Sequence, residues 1–328
     1  MKAPSTEWKE IVEPGEADRL AKQAEIVRGM QAKVTETQGV GRGAHRKMIL
    51  GLRGRFEVLD GIPKEARYGL FAKPGAYDAT VRISNGNLMA QEDWKPDIRG
   101  FAIRVEGVNG MGALGIPTPS QSFVMVNHPV LLVGRSDAFV ALLQAVVKGP
   151  LSLVAFLFRT YDPIEATQLL ITLFKTLGQR FTGFATEQFN SVSPIMCGPY
   201  AVRVRLNPVG AEPILGGKLD WAADFRRHLA KGPLHFDIQL QFYTDPQTTP
   251  IEDASQDWPE AEAPYVTVAK LTIPPQDTEG PTAQEFMRAV EASKFDPWWA
   301  LAEHRPLGEI MRSRKVAYRL SQEFRGAV

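Results

Sequence analysis

The sequence contains a single cysteine, Cys197, among 328 residues. One thiol cannot form an internal disulfide, supply a cysteine-rich metal cluster or attach a prosthetic group through paired thioethers. Histidine is also sparse: none of the five stands in the H-x-x-x-H or H-E-x-x-H spacings that are typical of zinc and non-haem iron sites. These absences argue against a disulfide scaffold and against a histidine-based metal site.

Unbroken apolar runs of membrane-spanning length are missing as well. The two richest apolar stretches are residues 138–157 and 165–177, and residues 148–150 (Lys-Gly-Pro) interrupt the first. A membrane-spanning helix needs about 18–20 consecutive apolar residues. We therefore interpret both stretches as buried or interfacial helices that cover a barrel, with peripheral contact to a membrane or to a lipid-like substrate as the alternative.

Neither sign of charge is in excess. The chain has 38 basic and 37 acidic residues, a formal net charge of +1, and the two signs are intermixed along its length. Because a nucleic-acid-binding protein usually carries a strongly basic face, we expect no nucleic-acid partner. Residues 1–40 do not show a basic segment followed by an apolar stretch and a cleavage site, so no secretion signal is recognised and we expect a cytoplasmic protein.

The order of helical and strand-like segments indicates the fold class. Residues 16–38 have a polar helical pattern and end at a glycine-rich segment. Strand-like segments occupy residues 55–60, 79–86, 99–107 and 121–127, and others start at Ala201, Leu234 and Tyr265, after a helix-rich region at about 135–190. From Leu234, apolar and polar residues alternate strictly, which predicts a half-buried antiparallel strand. We predict an N-terminal helical arm at 1–38 and one α+β domain at 39–328, an antiparallel β-barrel with a helical insert and C-terminal helices.

Three residues near the carboxyl end share one face of a predicted helix. Arg314, Tyr318 and Arg325 are separated by steps of four and seven residues, which puts them on a single stripe. A phenol is an anion at neutral pH only where a fixed positive charge or a metal ion stabilises it, and Arg314 lies one turn before Tyr318. Tyrosinate is one of the known protein ligands of haem iron. Alone, the stripe is more typical of a solvated amphipathic helix.

A second group of candidates lies in the first third of the chain. Arg42 precedes His45 by three residues, and a strand begins about ten residues later. On the following strand, alternation puts Arg82 and Ser84 on one face. A histidine can serve as both base and acid near neutral pH, so His45 is a candidate for proton transfer. Taken singly, His45 is more typical of a surface histidine, and Arg82 with Ser84 of a solvated strand face.

Together these groups resemble the catalase family. In that family a distal histidine has an arginine three residues before it, an R-F-S strand and a D-P-R-G-F-A strand follow, and an Arg–Tyr–Arg helix comes near the carboxyl end. Residues 97–102 of this chain read DIRGFA, and all the motifs occur in the family's order. The resemblance covers about residues 39–325. It implies a catalase-like barrel that binds haem b without a covalent link.

The resemblance also implies roles for individual residues. His45 would be the distal acid and base, with Ser84 hydrogen-bonded to its ring. Tyr318 would bind the iron, and Arg314 would stabilise its anion. The haem propionates would be held by Arg42, Arg82 and Arg325.

The chain departs from the family at several positions. It ends shortly after Arg325, and so resembles the shortened, minicatalase-like haem peroxidases. Where catalases carry a distal asparagine, this chain offers Ser120 and Gln121, of which Gln121 is the catalytic candidate. Leu132 stands where a phenylalanine stacks on the haem and is therefore a predicted haem contact. We expect a more open and less polar distal pocket.

Three functional hypotheses follow. The leading one is a haem-dependent peroxidase or catalase-like oxidoreductase that cleaves hydrogen peroxide or an organic hydroperoxide, with a small-molecule reductant. The second is a fatty-acid hydroperoxide isomerase or dehydratase, similar to an allene oxide synthase, which the apolar insert favours. The third is a haem-binding barrel without catalysis. The sequence leaves the reductant and a homo-oligomeric state open.

Overall fold

The computed structural model of the protein describes residues 2–214 and 220–327. Residues 1 and 328, the outer limits of the two predicted segments, lie outside the described residues. The described part contains nine β-strands and seven α-helices. The first nine elements are α1 (Glu16–Gln38), β1 (Met48–Val58), β2 (Gly75–Asn85), β3 (Arg99–Met111), β4 (Pro117–Val126), α2 (Ser136–Lys148), α3 (Pro150–Thr160), α4 (Pro163–Gly178) and β5 (Phe189–Asn190). The others are β6 (Ile195–Cys197), β7 (Tyr200–Val209), α5 (Trp221–Leu229), β8 (Leu234–Phe242), β9 (Tyr265–Ile273), α6 (Pro281–Ala292) and α7 (Glu309–Arg325).

The strands form one antiparallel sheet in the order β5-β4-β3-β2-β1-β9-β8-β7-β6, and a further pairing of β5 with β7 closes it into an eight-stranded barrel. This confirms the predicted α+β fold with a catalase-like barrel. Strand β8 shows why the sequence folds this way: Phe236, Ile238 and Leu240 are fully buried, while the side chains between them are half-buried or exposed. Gln241 departs from the alternation, because its buried amide donates to the carbonyl oxygens of Trp258 and Ala263.

The helical insert between β4 and β5 consists of α2, α3 and α4. The side-chain carboxylate of Asp162 accepts hydrogen bonds from the first free backbone N–H groups of α4, and Pro163 follows at the first helical position, where no N–H is needed. Leu151, Ile164 and Phe174 of the insert are largely exposed. Among the helices that the structure describes, none is both long and apolar enough to cross a membrane.

Helices α1 and α7 pack against each other and form one wall beside the barrel. Buried Gln31 of α1 donates to the carbonyl oxygen of Gly41, 2.7 Å away, and so ties the helix to the segment that leads into β1. Arg312 of α7 is hydrogen-bonded to the carboxylates of Glu10, Glu16 and Glu252. These ion pairs attach the N-terminal segment to the start of α7. The division into an arm at 1–38 and a domain at 39–328 stays a prediction.

Candidate functional site

A cavity lies between the barrel and helices α1 and α7. It contains about 720 Å³ of empty space, including space that is open to solvent. Strands β2, β3 and β4 provide its barrel side, the segment 42–45 enters from the end of α1, and α7 closes the other side. Six of the nine predicted site residues line this cavity: His45, Ser84, Arg42, Arg82, Tyr318 and Arg325. A seventh, Arg314, contacts Tyr318.

His45 is held in an unusual backbone conformation by contacts on both sides. Its φ angle is 51°, in the left-handed region that few non-glycine residues adopt. Its backbone N–H donates to the carbonyl oxygen of Gly86 at 2.9 Å, and its own carbonyl oxygen accepts from Nη2 of Arg82 at 2.8 Å. The ring nitrogen Nδ1 is hydrogen-bonded to Oγ of Ser84 at 3.1 Å. These contacts orient the imidazole in the cavity.

Gly100 of the RGFA segment makes room for this imidazole. It pairs with Ser84 across β2 and β3. A Cβ atom on Gly100 would lie 2.7 Å from Cε1 of His45 and 2.9 Å from Oγ of Ser84. Both distances are below van der Waals contact, so the ring and any side chain at position 100 exclude each other. A glycine is therefore needed at position 100 to leave room for the His45 ring, in addition to any role in strand packing.

The electrostatic surroundings keep His45 neutral. Burial, followed by the positive charges of Arg82, Arg314 and Arg42, lowers the pKa of His45 from 6.5 to about 3. Because the ordinary pKa of histidine lies close to neutral pH, a shift of this size removes the charged form over the physiological range. The neutral ring keeps one nitrogen unprotonated, so it can accept a hydrogen bond from a group in the cavity.

Tyr318 reaches the cavity from helix α7. Nη2 of Arg314, one helical turn earlier, donates a hydrogen bond to the phenolic oxygen at 2.9 Å, and the guanidinium lies 5.1 Å from the ring centroid. One turn later, Gln322 also lines the cavity, and its amide donates to Oδ2 of Asp296 at 2.8 Å. Burial raises the pKa of Asp296. A cation thus contacts the phenolic oxygen directly, as the helical spacing predicts.

Three guanidinium groups converge at one edge of the cavity. Arg42 and Arg82 both bind the carboxylate of Glu291, and Arg325 donates to the backbone carbonyl oxygens of residues 291–293. Burial lowers the pKa of Arg82 and that of Arg325 to about 10 in each case. We call Arg42, Arg82 and Arg325 the arginine cluster.

The charge of the arginine cluster fits a ligand with two carboxylates. Three guanidinium groups and the single carboxylate of Glu291 leave a formal charge of +2. Buried cations are stable only with partners, and arginine is well suited to bind carboxylates through two parallel hydrogen bonds. The two propionates of haem b carry the complementary charge. The donor set, a phenol beside an arginine, is also of a kind that binds haem iron.

Two predicted site residues do not reach the cavity. Gln121 uses its Oε1 to accept from the backbone N–H of Leu301 at 2.9 Å, and its Nε2 donates to the carbonyl oxygen of Ser122. It faces the same side of β4 as the core residue Phe123, because side chains two apart share a face. Leu132 follows the end of β4 and is not one of the cavity-lining residues. Neither residue therefore lines this cavity, and the roles predicted for them stay predictions.

The sequence reasoning also missed one charged member of the site, Glu291. A glutamate near the end of an amphipathic helix has no distinguishing sequence signal. Its role appears only when α6 packs beside β2, more than two hundred positions earlier in the chain. Phe295, which lies 6.0 Å below the guanidinium of Arg42, was missed for the same reason.

The fold is that of several solved catalases. The chain superposes on a fungal catalase with a TM-score of 0.68 and 18% identity, covering 87% of this chain and 59% of that one. For catalase A from Saccharomyces cerevisiae the TM-score is 0.68 and the identity 18%, with 88% and 61% covered. A bacterial catalase gives 0.65 and 15%, with 88% and 58% covered. The chain thus spans about three-fifths of the length of these proteins.

No protein-family model and no curated protein sequence matches the chain. At identities this low, the likeness to the solved catalases shows the fold alone: an α+β protein with a catalase-like barrel.

Proposed function

We propose that this protein is a haem-dependent oxidoreductase of the peroxidase or catalase type, which cleaves hydrogen peroxide or an organic hydroperoxide. One observation carries the proposal: His45 and the Tyr318–Arg314 pair lie on the same cavity, beside an arginine cluster of matching charge. Fold alone does not define function, so the proposal depends on these side chains. Similarity to the solved catalases supports it through the shared fold.

Each residue has a distinct part in this proposal. Tyr318 would bind the iron through its phenolic oxygen, to which Arg314 donates a hydrogen bond; on iron binding, the guanidinium would neutralise the charge of the tyrosinate. The arginine cluster would hold the propionates. When bound, haem b supplies the redox chemistry that cleaves the O–O bond.

His45 moves the proton in this scheme. Its neutral imidazole accepts a proton from the peroxide oxygen and returns it to the oxygen that leaves. The hydrogen bond between Nδ1 and Ser84 orients the ring for both steps. General acid and base catalysis of this kind contributes about 10²–10⁴-fold in rate. In the peroxidase reaction, a small-molecule reductant completes the cycle.

An absorbance spectrum tests the proposal most directly. Wild type and Tyr318→Phe are reconstituted with haem, and the Soret region of each is recorded. We expect a clear change in the mutant, because it loses the oxygen ligand while its ring remains. If Tyr318→Phe had the same spectrum as wild type, Tyr318 would not be the iron ligand. Wild type that binds haem but does not oxidise a donor dye with peroxide would instead be a haem-binding barrel without catalysis.

The second candidate is a fatty-acid hydroperoxide isomerase or dehydratase. Apart from Arg82 and Ser84, the barrel side of the cavity is formed mainly by apolar residues: Phe101, Ala102, Val124 and Met125. An apolar wall favours an acyl chain over water and hydrogen peroxide. Comparing the consumption of hydrogen peroxide with that of a fatty-acid hydroperoxide, each without reductant, separates the two candidates. Rapid consumption of only the lipid substrate favours the second.

A further inference from the structure

Glu291 brings a carboxylate into the arginine cluster. It lies in the last turn of α6, and both of its oxygen atoms are used. Oε1 is 3.2 Å from Nε of Arg42, and Oε2 is 3.0 Å from Nε and 2.9 Å from Nη2 of Arg82. One carboxylate therefore bridges two guanidinium groups that come from the segment before β1 and from strand β2.

Among the described residues, Glu291 is the only acidic side chain that is ion-paired with the arginine cluster. The other acceptors are neutral. Nη2 of Arg42 donates to the carbonyl oxygens of Glu291 and Ser293, and Arg325 donates to the carbonyl oxygens of residues 291–293. The cations themselves are well covered, since the side chain of Arg82 is 4% exposed and that of Arg42 12%. Two covered cations thus share one carboxylate, and Arg325 lies beside them with neutral partners only.

The cluster keeps hydrogen-bond donors for a ligand. Within residues 2–214 and 220–327, no hydrogen bond is made by Nη1 of Arg42, Nη1 of Arg82 or Nε of Arg325. Glu291 binds the Nε edges of Arg42 and Arg82, so the Nη1 groups remain available. A ligand carboxylate can therefore bind while Glu291 stays in place, but the two anions then lie close together and repel each other.

We infer that Glu291 is the resident counter-ion of the arginine cluster: it stabilises the cluster in the empty protein and limits its affinity for a ligand with two carboxylates. The ligand half of this inference rests on the proposed haem function. The counter-ion half rests only on the contacts of Glu291.

The pKa shifts of the arginines agree with this role. Burial lowers the pKa of all three, and the charge of Arg42 lowers those of Arg82 and Arg325 further. Glu291 acts in the opposite direction on each of the three. Removing its charge leaves three neighbouring cations without an anion, which is unfavourable when the groups are covered.

The effect on a ligand has the opposite sign. A dianion that enters the site gains attraction from three cations and loses some of it to repulsion by Glu291. The side chain of Glu291 is 35% exposed, so solvent screens part of this repulsion. We expect that removing the charge tightens binding of a dicarboxylate porphyrin by about tenfold.

The test compares Glu291→Gln with wild type and with the matched control Glu285→Gln. Glu285 is exposed on the same helix and has no hydrogen-bonded or ion-paired side-chain partner in the part of the chain that the structure describes. Its substitution therefore makes the same charge change at a position away from the arginine cluster. For the empty proteins, we expect Glu291→Gln to unfold at a lower temperature than the other two. Added inorganic phosphate should stabilise this variant most, because it replaces the missing anion.

Binding is measured with metal-free protoporphyrin IX, which has two carboxylates but no iron for Tyr318, and with its neutral dimethyl ester. We expect Glu291→Gln to bind the dicarboxylate about tenfold more tightly than wild type and the ester equally well. Equal or weaker binding of the dicarboxylate by the variant overturns the ligand half. Equal stability of all three empty proteins overturns the counter-ion half. Wild type that binds neither porphyrin overturns the proposed function together with the ligand half, whereas the stability comparison still decides the counter-ion role.

Discussion

Arg314 donates a hydrogen bond from Nη2 to the phenolic oxygen of Tyr318, 2.9 Å away, and the two residues are one helical turn apart on α7. The pair is local, so its geometry follows from the helix itself. A positive charge therefore contacts the oxygen that would bind iron in the proposed function.

Replacing Arg314 with Gln weakens the proposed iron site. Glutamine can still donate a hydrogen bond but carries no charge, so the phenolate loses its electrostatic partner. We expect the Soret band of the haem-reconstituted variant to move towards that of Tyr318→Phe, and peroxide-dependent activity to fall about 10–100-fold. Arg319→Gln, an exposed position on the same helix, is the control and should resemble wild type. Identical spectra for Arg314→Gln and wild type would contradict the role of Arg314.

Replacing Gly100 with Ala displaces His45. The added methyl group would lie 2.7 Å from Cε1 of the imidazole, closer still to its Nδ1, and 2.9 Å from Oγ of Ser84, so the ring must move or the strand must shift. We expect a loss of about 1–3 kcal/mol in the free energy of unfolding, measured by urea denaturation. Activity should fall by about 10²-fold or more, because the base leaves its position. Gly29→Ala, in α1 with open space around it, is the control; if both variants kept full activity, Gly100 would not be needed to place His45.

The stability of the empty protein should depend on the protonation of His45. The folded protein binds this proton only near pH 3, whereas the unfolded chain binds it near pH 6.5. The stabilising contribution is therefore complete above about pH 6.5 and decreases as the pH falls from 6.5 towards 3. Denaturation at a series of pH values measures the slope. His45→Gln should have a shallower slope than wild type, and His235→Gln, an exposed control, should not; equal slopes for all three would contradict the assignment.

Replacing Arg312 with Met detaches the N-terminal segment from α7. The carboxylate of Glu16 is only 4% exposed and loses its principal cation, and Glu10 and Glu252 lose a shared partner. Leaving a covered carboxylate unpaired costs about 2–4 kcal/mol after allowance for partial solvent access. Thermal and urea unfolding measure this loss. The control Arg28→Met removes an exposed pair with Glu25 and should change stability by less than about 1 kcal/mol; similar losses in both variants would mean that burial of the network has no special effect.

Local sequence patterns predicted the fold class and several elements. The alternation from Leu234 corresponds to β8, and the apolar region after β4 corresponds to helices α2, α3 and α4. Periodicity is reliable here because a half-buried strand and an amphipathic helix each repeat at a fixed interval. The strand at residues 55–60 was predicted too short, since β1 begins at Met48.

Gln121 shows what counting along the chain leaves open. Its distance from Pro129 places it on β4 but does not identify the groups that its side chain meets in the folded protein. In the structure Gln121 points towards Leu301, and the cavity wall nearby is formed by Val124.

The sequence by itself determined the elements and the contacts within them. Tyr318 meets Arg314 because four residues make about one turn of a helix. Only the tertiary structure decided what surrounds the arginine cluster, since Glu291 is separated by 249 positions from Arg42 and by 209 from Arg82. A carboxylate can neutralise a buried cation only at short range, and that distance is set by how α6 packs on the barrel rather than by any local pattern.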